Sequence, residues 1–167
     1  MQMPCQLAKY TGREVLLEYI VGCGDVPVPE EDWLLFGAGR SKSMTLSYDT
    51  IDATADDVVG AIRDNLATWL NYELTADGVC RRSDAANTNQ TALMKHFLNP
   101  VETGGQPIIV VRVTMPDITI VSAMLMSEFS REFPYDDVAT WSISMAVTGS
   151  TIGMVVTDTP VVPDPTP

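Results

Sequence analysis

Apolar and polar residues alternate most cleanly between Thr140 and Thr148, where Trp141, Ile143, Met145 and Val147 interleave with Ser142, Ser144, Ala146 and Thr148. A period of two puts the two sets on opposite faces of a β-strand. The same period runs from Lys42 to Ile51: Met44, Leu46 and Tyr48 point one way, and Ser43, Thr45, Ser47 and Asp49 the other. The pattern predicts two strands with one buried face and one wet face. Each follows a polar turn, Gly37 to Ser43 before the first and the acidic Phe133 to Asp137 before the second.

Elsewhere the signals are weaker. Arg13 to Val21 is rich in β-formers and reads as a strand closed by Gly22 to Asp25, with a helical reading of Glu14 to Ile20 left open. Asp25 to Asp32, carrying prolines and acids, predicts an exposed loop. Val58, Val59, Ile62 and Leu66 fall at helical spacing behind Thr54, so Ala55 to Leu66 reads as a helix that Gly60 weakens. Ala67 to Thr75 reads as a strand entering a turn at Ala76 to Gly78, with a loop from Val79 to Ala86. The clearest helix is Thr88 to Leu98: Asn87 and Gln90 make a loose capping box, and Leu93, Met94, Phe97 and Leu98 form the apolar stripe. Pro100 stops it. Pro107 to Met115, Ile118 to Phe129 and an edge strand at Ile152 to Val156 complete the β content.

Six or seven strands and one firm helix predict a mainly β fold, a β-sandwich or partial barrel with a single flanking α-helix. Residues 1–159 fit one domain, and the proline-rich 160–167 read as an extended C-terminal arm. The strands' polar sides are Ser and Thr with an occasional acid. Few lysines guard them, so their edges are open to pairing with other copies.

Charge narrows the function. The chain of 167 residues carries 22 acidic against 10 basic residues, net -12, which argues against a surface that grips phosphates. Its longest apolar runs are far shorter than the roughly 20 residues of a membrane span, and the N-terminus lacks the pattern of a signal peptide. Cys5, Cys23 and Cys80 are odd in number and scattered, as expected of reduced thiols. Gly37 to Ser43 lacks the spacing of a phosphate loop and precedes a strand, so it reads as a plain turn. His96 is the single histidine and reads as a solvent-facing or helix-end residue. Asp136, Asp137 and the run Glu30 to Asp32 lack the spacing of a calcium loop. Met124, Met126 and Met145 read as core or contact residues. No catalytic, cofactor-binding or metal-binding constellation is expected.

The stretches that remain carry a resemblance. Ser43-Met44-Thr45-Leu46-Ser47-Tyr48-Asp49-Thr50-Ile51 after a small, basic turn, the aromatic strand Trp69 to Gly78, and Pro134-Tyr135-Asp136-Asp137 leading into Trp141-Ser142-Ile143-Ser144-Met145 resemble, in order and spacing, the major tail tube proteins of long-tailed, siphovirus-like bacteriophages. The likeness extends from about Arg13 to Thr151. It implies a non-enzymatic virion protein, assembled in the host cytoplasm, that forms stacked and usually hexameric rings. Strands of neighbouring copies would then line a channel for DNA. Its implied partners are other copies, a tape measure protein, and tail tip and tail terminator proteins, with no membrane. Under this likeness Ser43, Thr45, Ser47, Asp49, Ser142 and Ser144 are candidate lumen residues. The acidic loop Asp25 to Asp32 and the C-terminal arm are candidate ring-stacking contacts. Alternatives are a tail terminator or the inner tube of a contractile or secretion-type machine, or a ligand-binding β-sandwich.

Overall fold

A computed structural model describes residues 9–37, 39–57, 59–60, 62–81 and 89–158. Strands β1 (Leu16–Val21), β2 (Leu34–Leu35), β3 (Gly39–Asp52) and β4 (Asn65–Val79) precede helix α1 (Asn89–Leu98). Strands β5 (Ile108–Thr114), β6 (Thr119–Glu132), β7 (Thr140–Val147) and β8 (Val155–Thr157) follow. All pair antiparallel in the order β2-β1-β5-β6-β7-β4-β3, with β8 against the start of β6.

The long strand β6 belongs to two halves. Its first part pairs with β5 from Thr119 to Leu125, and its second part pairs with β7 from Met124 to Glu132. A register shift between Met126 and Glu128 marks the change of neighbour, where a bulge bends a strand and raises its twist. The halves share one apolar cluster: Leu17, Tyr19, Val111 and Val113 from one, Tyr72, Leu74, Trp141, Ile143 and Met145 from the other. The sheet therefore closes over on itself, and the expected sandwich or partial barrel with a helix on its flank is what forms. Met124, Met126 and Met145 all lie in this core.

Helix α1 seals an open side. Leu93 is buried, and Phe97 meets Phe129 of β6 with ring centroids 6.3 Å apart. The stripe is Gln90, Leu93, His96 and Phe97 rather than the predicted set, because Leu98 points outward at 70% exposure. Gln90 donates from Nε2 to the Arg81 carbonyl. The expected cap Asn87, together with Thr88 and the C-terminal arm 160–167, lies outside the described residues. His96 is not solvent-facing: it is buried, with Nε2 2.9 Å from the Ile108 carbonyl. Here the helix end packs on β5, so the imidazole is needed to satisfy a main-chain oxygen.

The predicted helix over Ala55 to Leu66 is absent among the described residues. Leu66 is in β4, and the segment between the strands closes with Ala53 donating to Asp64 and Asp64 donating to Thr54 Oγ1. Pairing of β3 with β4 overrides the helical spacing, and Gly60 adopts φ 89°, outside the helical region. The predicted turn at Ala76 to Gly78 is likewise strand, since these residues pair with Ile143, Ser142 and Trp141 of β7. Strand β2 has no signal in the sequence beyond two leucines.

The stretch after β1 folds back over the outer side of β5 and β6, covering Val110 and Ala123. Gly24 makes this close approach possible. Its φ is 72°, and a Cβ there would lie 3.0 Å from that of Ser150 and 3.3 Å from that of Ala123.

Candidate assembly surface

Strands β6, β7, β4 and β3 form a four-stranded surface with two unlike faces. Side chains that alternate into the core are Phe129, Trp141, Ile143, Met145, Tyr72, Leu74 and Ala76. Over the body the opposite face is mostly polar. Row by row, Ser43 pairs with Thr75, which pairs with Ser144; Thr45 pairs with Glu73, which pairs with Ala146. Ser130 hydrogen-bonds Ser142 at 2.6 Å, and Ser127 donates to the Ser144 carbonyl at 3.1 Å.

The structure therefore brings Ser43, Thr45, Ser47, Ser142 and Ser144 onto one continuous face, with β4 bridging the two predicted strands. Asp49 lies further out, held to Asn71 Nδ2 at 2.9 Å where the β3–β4 register shifts. Sequence reading missed most of the charge on this face. Glu73, Asp77, Glu128 and Glu132 share it through register with Ala146, Ser142, Ser144 and Thr140. The signal for Glu73 and Asp77 was present in the odd-numbered positions of β4, with Asp77 obscured by the turn wrongly placed at Ala76 to Gly78. Asp77 also accepts from the Ser41 main-chain N–H at 3.0 Å. Arg40 is the basic side chain at the rim of the shallow hollow formed here by Ser41, Asp77, Ser130, Glu132 and Ser142.

The two side edges are open. Beyond Leu125 no described strand pairs with the β5-facing side of β6, and none pairs with the outer side of β3. Because four antiparallel strands alternate in direction, β6 and β3 run oppositely. An edge β3 set beside the edge β6 of a second copy continues the antiparallel ladder.

Below Glu73 the β3–β4 ribbon leaves the body, since β7 ends its pairing there. This arm spans Leu46 to Asp52 and Asn65 to Asn71. Its core-side face, the continuation of Met44 and Leu74, carries Leu46, Tyr48 and Leu70, exposed by 36–59%. The expectation that this face of Lys42 to Ile51 is buried fails for the isolated chain: alternation is intact, but nothing in one copy covers it.

The acidic loop is partly tied down. Glu30 accepts from Arg112 Nη1 at 2.8 Å, Arg112 Nη2 reaches Glu18 at 2.5 Å, and the guanidinium lies 4.7 Å from the Trp33 ring centroid. Burial pulls the Arg112 pKa down, but hydrogen bonds and charge from Glu30 and Glu18 outweigh it and hold the pKa above its ordinary value. Among the described residues no group of three metal-ligating side chains gathers, and no helix is long and apolar enough to cross a membrane.

Solved structures supply the deciding likeness. A chain of the virion of a native gene transfer agent particle superposes with TM-score 0.67 at 15% identity, covering 89% of this chain and 99% of that one. The SPP1 tail tube superposes with TM-score 0.60 at 14% identity, covering 90% of this chain and 80% of that one. This is the tail-tube fold. A chain of the tail of an empty gene transfer agent particle, refined with C6 symmetry, shares it with TM-score 0.66 at 17% identity, covering 90% of this chain and 99% of that one. No protein-family model and no curated protein matches the sequence. The likeness is thus one of backbone architecture, and the tail-tube fold is reached here by a sequence far from its structural neighbours.

Proposed function

We propose that this protein is a structural subunit of a virion tail tube, with no enzymatic role, whose copies join side by side into rings that stack around a channel. The observation that carries the reading is the four-stranded surface with two open, oppositely directed edges and one polar, acidic face. Pairing β3 of one copy with β6 of the next satisfies both edges at once, and a head-to-tail contact that closes makes a ring. The polar face, with Ser43, Thr45, Ser47, Asp49, Ser142 and Ser144, then lines the lumen. Its Glu and Asp side chains repel phosphates, so DNA passes without adhering. Six copies per ring is supported by the sixfold symmetry of a tail with the same fold.

The tail-tube fold supports further partners: a tape measure protein within the lumen, and tail tip and tail terminator proteins at the ends. Assembly in the host cytoplasm and a final place in the virion tail follow from the same reading. Residues 1–159 act as a single domain. Negative-stain electron microscopy of the purified protein tests the proposal: hollow tubes or stacked rings are expected, and a monodisperse monomer at high concentration would overturn it. A terminator or a contractile-type inner tube would show isolated rings or need a sheath.

A further inference from the structure

The end of the sheet opposite the arm carries features that one copy leaves unsatisfied. The turn joining β6 to β7 holds Phe133 at 74% exposure, Tyr135 at 100% and Val138 at 46%, a cluster of apolar surface at the sheet's end. Beside it Arg131, opposite Trp141 in register, has Nε and Nη2 removed from water with no hydrogen-bond partner. Its guanidinium lies 6.0 Å from the Phe129 ring centroid, on the core side of β6. Among the described residues these two N–H groups have no acceptor, and leaving buried donors unpaired is costly. Nearby acids do not fill the gap: Glu132 faces the other side of the strand, and Asp137 accepts from the Val138 N–H.

What this end lacks, the arm offers. The arm leaves the sheet at Glu73 and Ala146, whereas the aromatic turn lies beyond Val79 and Thr140, at the other end of the same strands. The arm's apolar face is uncovered, and its tip is rich in exposed carboxylates, Asp52, Asp56, Asp57 and Asp64, against Arg63. Complementary patches at opposite ends of one molecule generate an open stack by translation along the strands, a contact distinct from the sideways joining of edges.

We infer that Phe133, Tyr135 and Arg131 form the seat for the arm of a second copy in the adjacent ring, the aromatics covering arm residues such as Leu46 and Tyr48 while an arm carboxylate pairs with Arg131. This rests on the ring reading above and assigns stacking to the aromatic turn rather than to Asp25 to Asp32, whose Glu30 is engaged by Arg112.

The test is the pair of substitutions Phe133→Ser and Tyr135→Ser in the full chain, compared with wild type by electron microscopy and sedimentation. Both side chains are exposed, so an unchanged melting temperature is expected. Rings of wild-type diameter that no longer stack are the expected result. Normal tubes from the double variant would overturn the inference while leaving the ring reading intact, and loss of rings as well would overturn it by making the turn a sideways contact. A wild type that forms neither rings nor tubes would sink the ring reading itself. Arg131→Gln is expected to raise the concentration needed for stacking about tenfold; no change would remove Arg131 from the seat.

Discussion

Strand β4 lives in two environments. From Tyr72 to Gly78 its even-numbered residues are sealed in the core, with Tyr72 and Leu74 each 1% exposed; at Leu70 the same face meets solvent. The residue types barely differ across the boundary. What differs is the company: the body half has β7 on its second edge and the other half of the sheet packed against its core-side face, while the arm half has only β3. A pattern of apolar positions therefore states that a face will be covered, but not by which chain.

The comparison can be broken most sharply at Leu74. Leu74→Ala should cost about 3 kcal/mol by removing packing from the shared core, lowering the melting temperature by roughly 10 °C in a thermal scan. Next comes the clamp that ties the loop to the body. Arg112→Met strands the nearly buried carboxylate of Glu18, and urea denaturation should register a loss of about 2 kcal/mol; a change near zero would mean that Trp33 packing alone holds the loop.

Alkaline pH offers a gentler probe of the body half. Burial raises the phenol pKa values of Tyr19 and Tyr72 from 10.0 to about 12. The unfolded chain releases these protons first, so stability present below pH 10 should drain away as pH climbs toward 12. The share of the phenolate absorbance that belongs to Tyr19 and Tyr72 should rise together with unfolding, not before it.

The smallest effect on a lone copy is expected in the arm. Leu46→Ser or Tyr48→Ser should move the unfolding free energy by no more than about 0.5 kcal/mol, because the side chains are already half in water. The same variants should abolish higher-order assembly in sedimentation runs, the reverse of the weighting at Leu74. If they unfold the monomer instead, the arm is part of the body and the contrast disappears.

Much of the fold could be read in advance where alternation and turn chemistry agreed. Trp141 to Val147 is a strand with the predicted faces and Met124 and Met126 lie in the core, whereas it takes the strand order to show that Ser43, Thr45 and Ser47 fall on the same sheet face as Ser142 and Ser144. The misses have physical causes. Val58 to Leu66 has helical spacing but sits where the β3–β4 ribbon must reverse, and cross-strand hydrogen bonds outweigh propensity. His96 stands in the last turn of its helix, as one of its two readings had it, but it is buried rather than solvent-facing because sequence cannot show that the Ile108 carbonyl of β5 is presented to it. Ala76, Asp77 and Gly78 have turn composition, yet a neighbouring strand on each side keeps them extended. The acids of β4 and β6 were invisible as a group, since only register aligns Glu73, Asp77, Glu128 and Glu132.

The even number of strands between the two open edges has a consequence for copy number. In the proposed ring direction would alternate correctly across every seam, so the ladder would be indifferent to how many subunits it passes through. Circumference is then governed by geometry alone: the twist of each strand pair and the bend at the Met126–Glu128 irregularity. A substitution that flattened this bend would yield a wider ring with every hydrogen-bonding rule still obeyed, a change of calibre without a change of grammar.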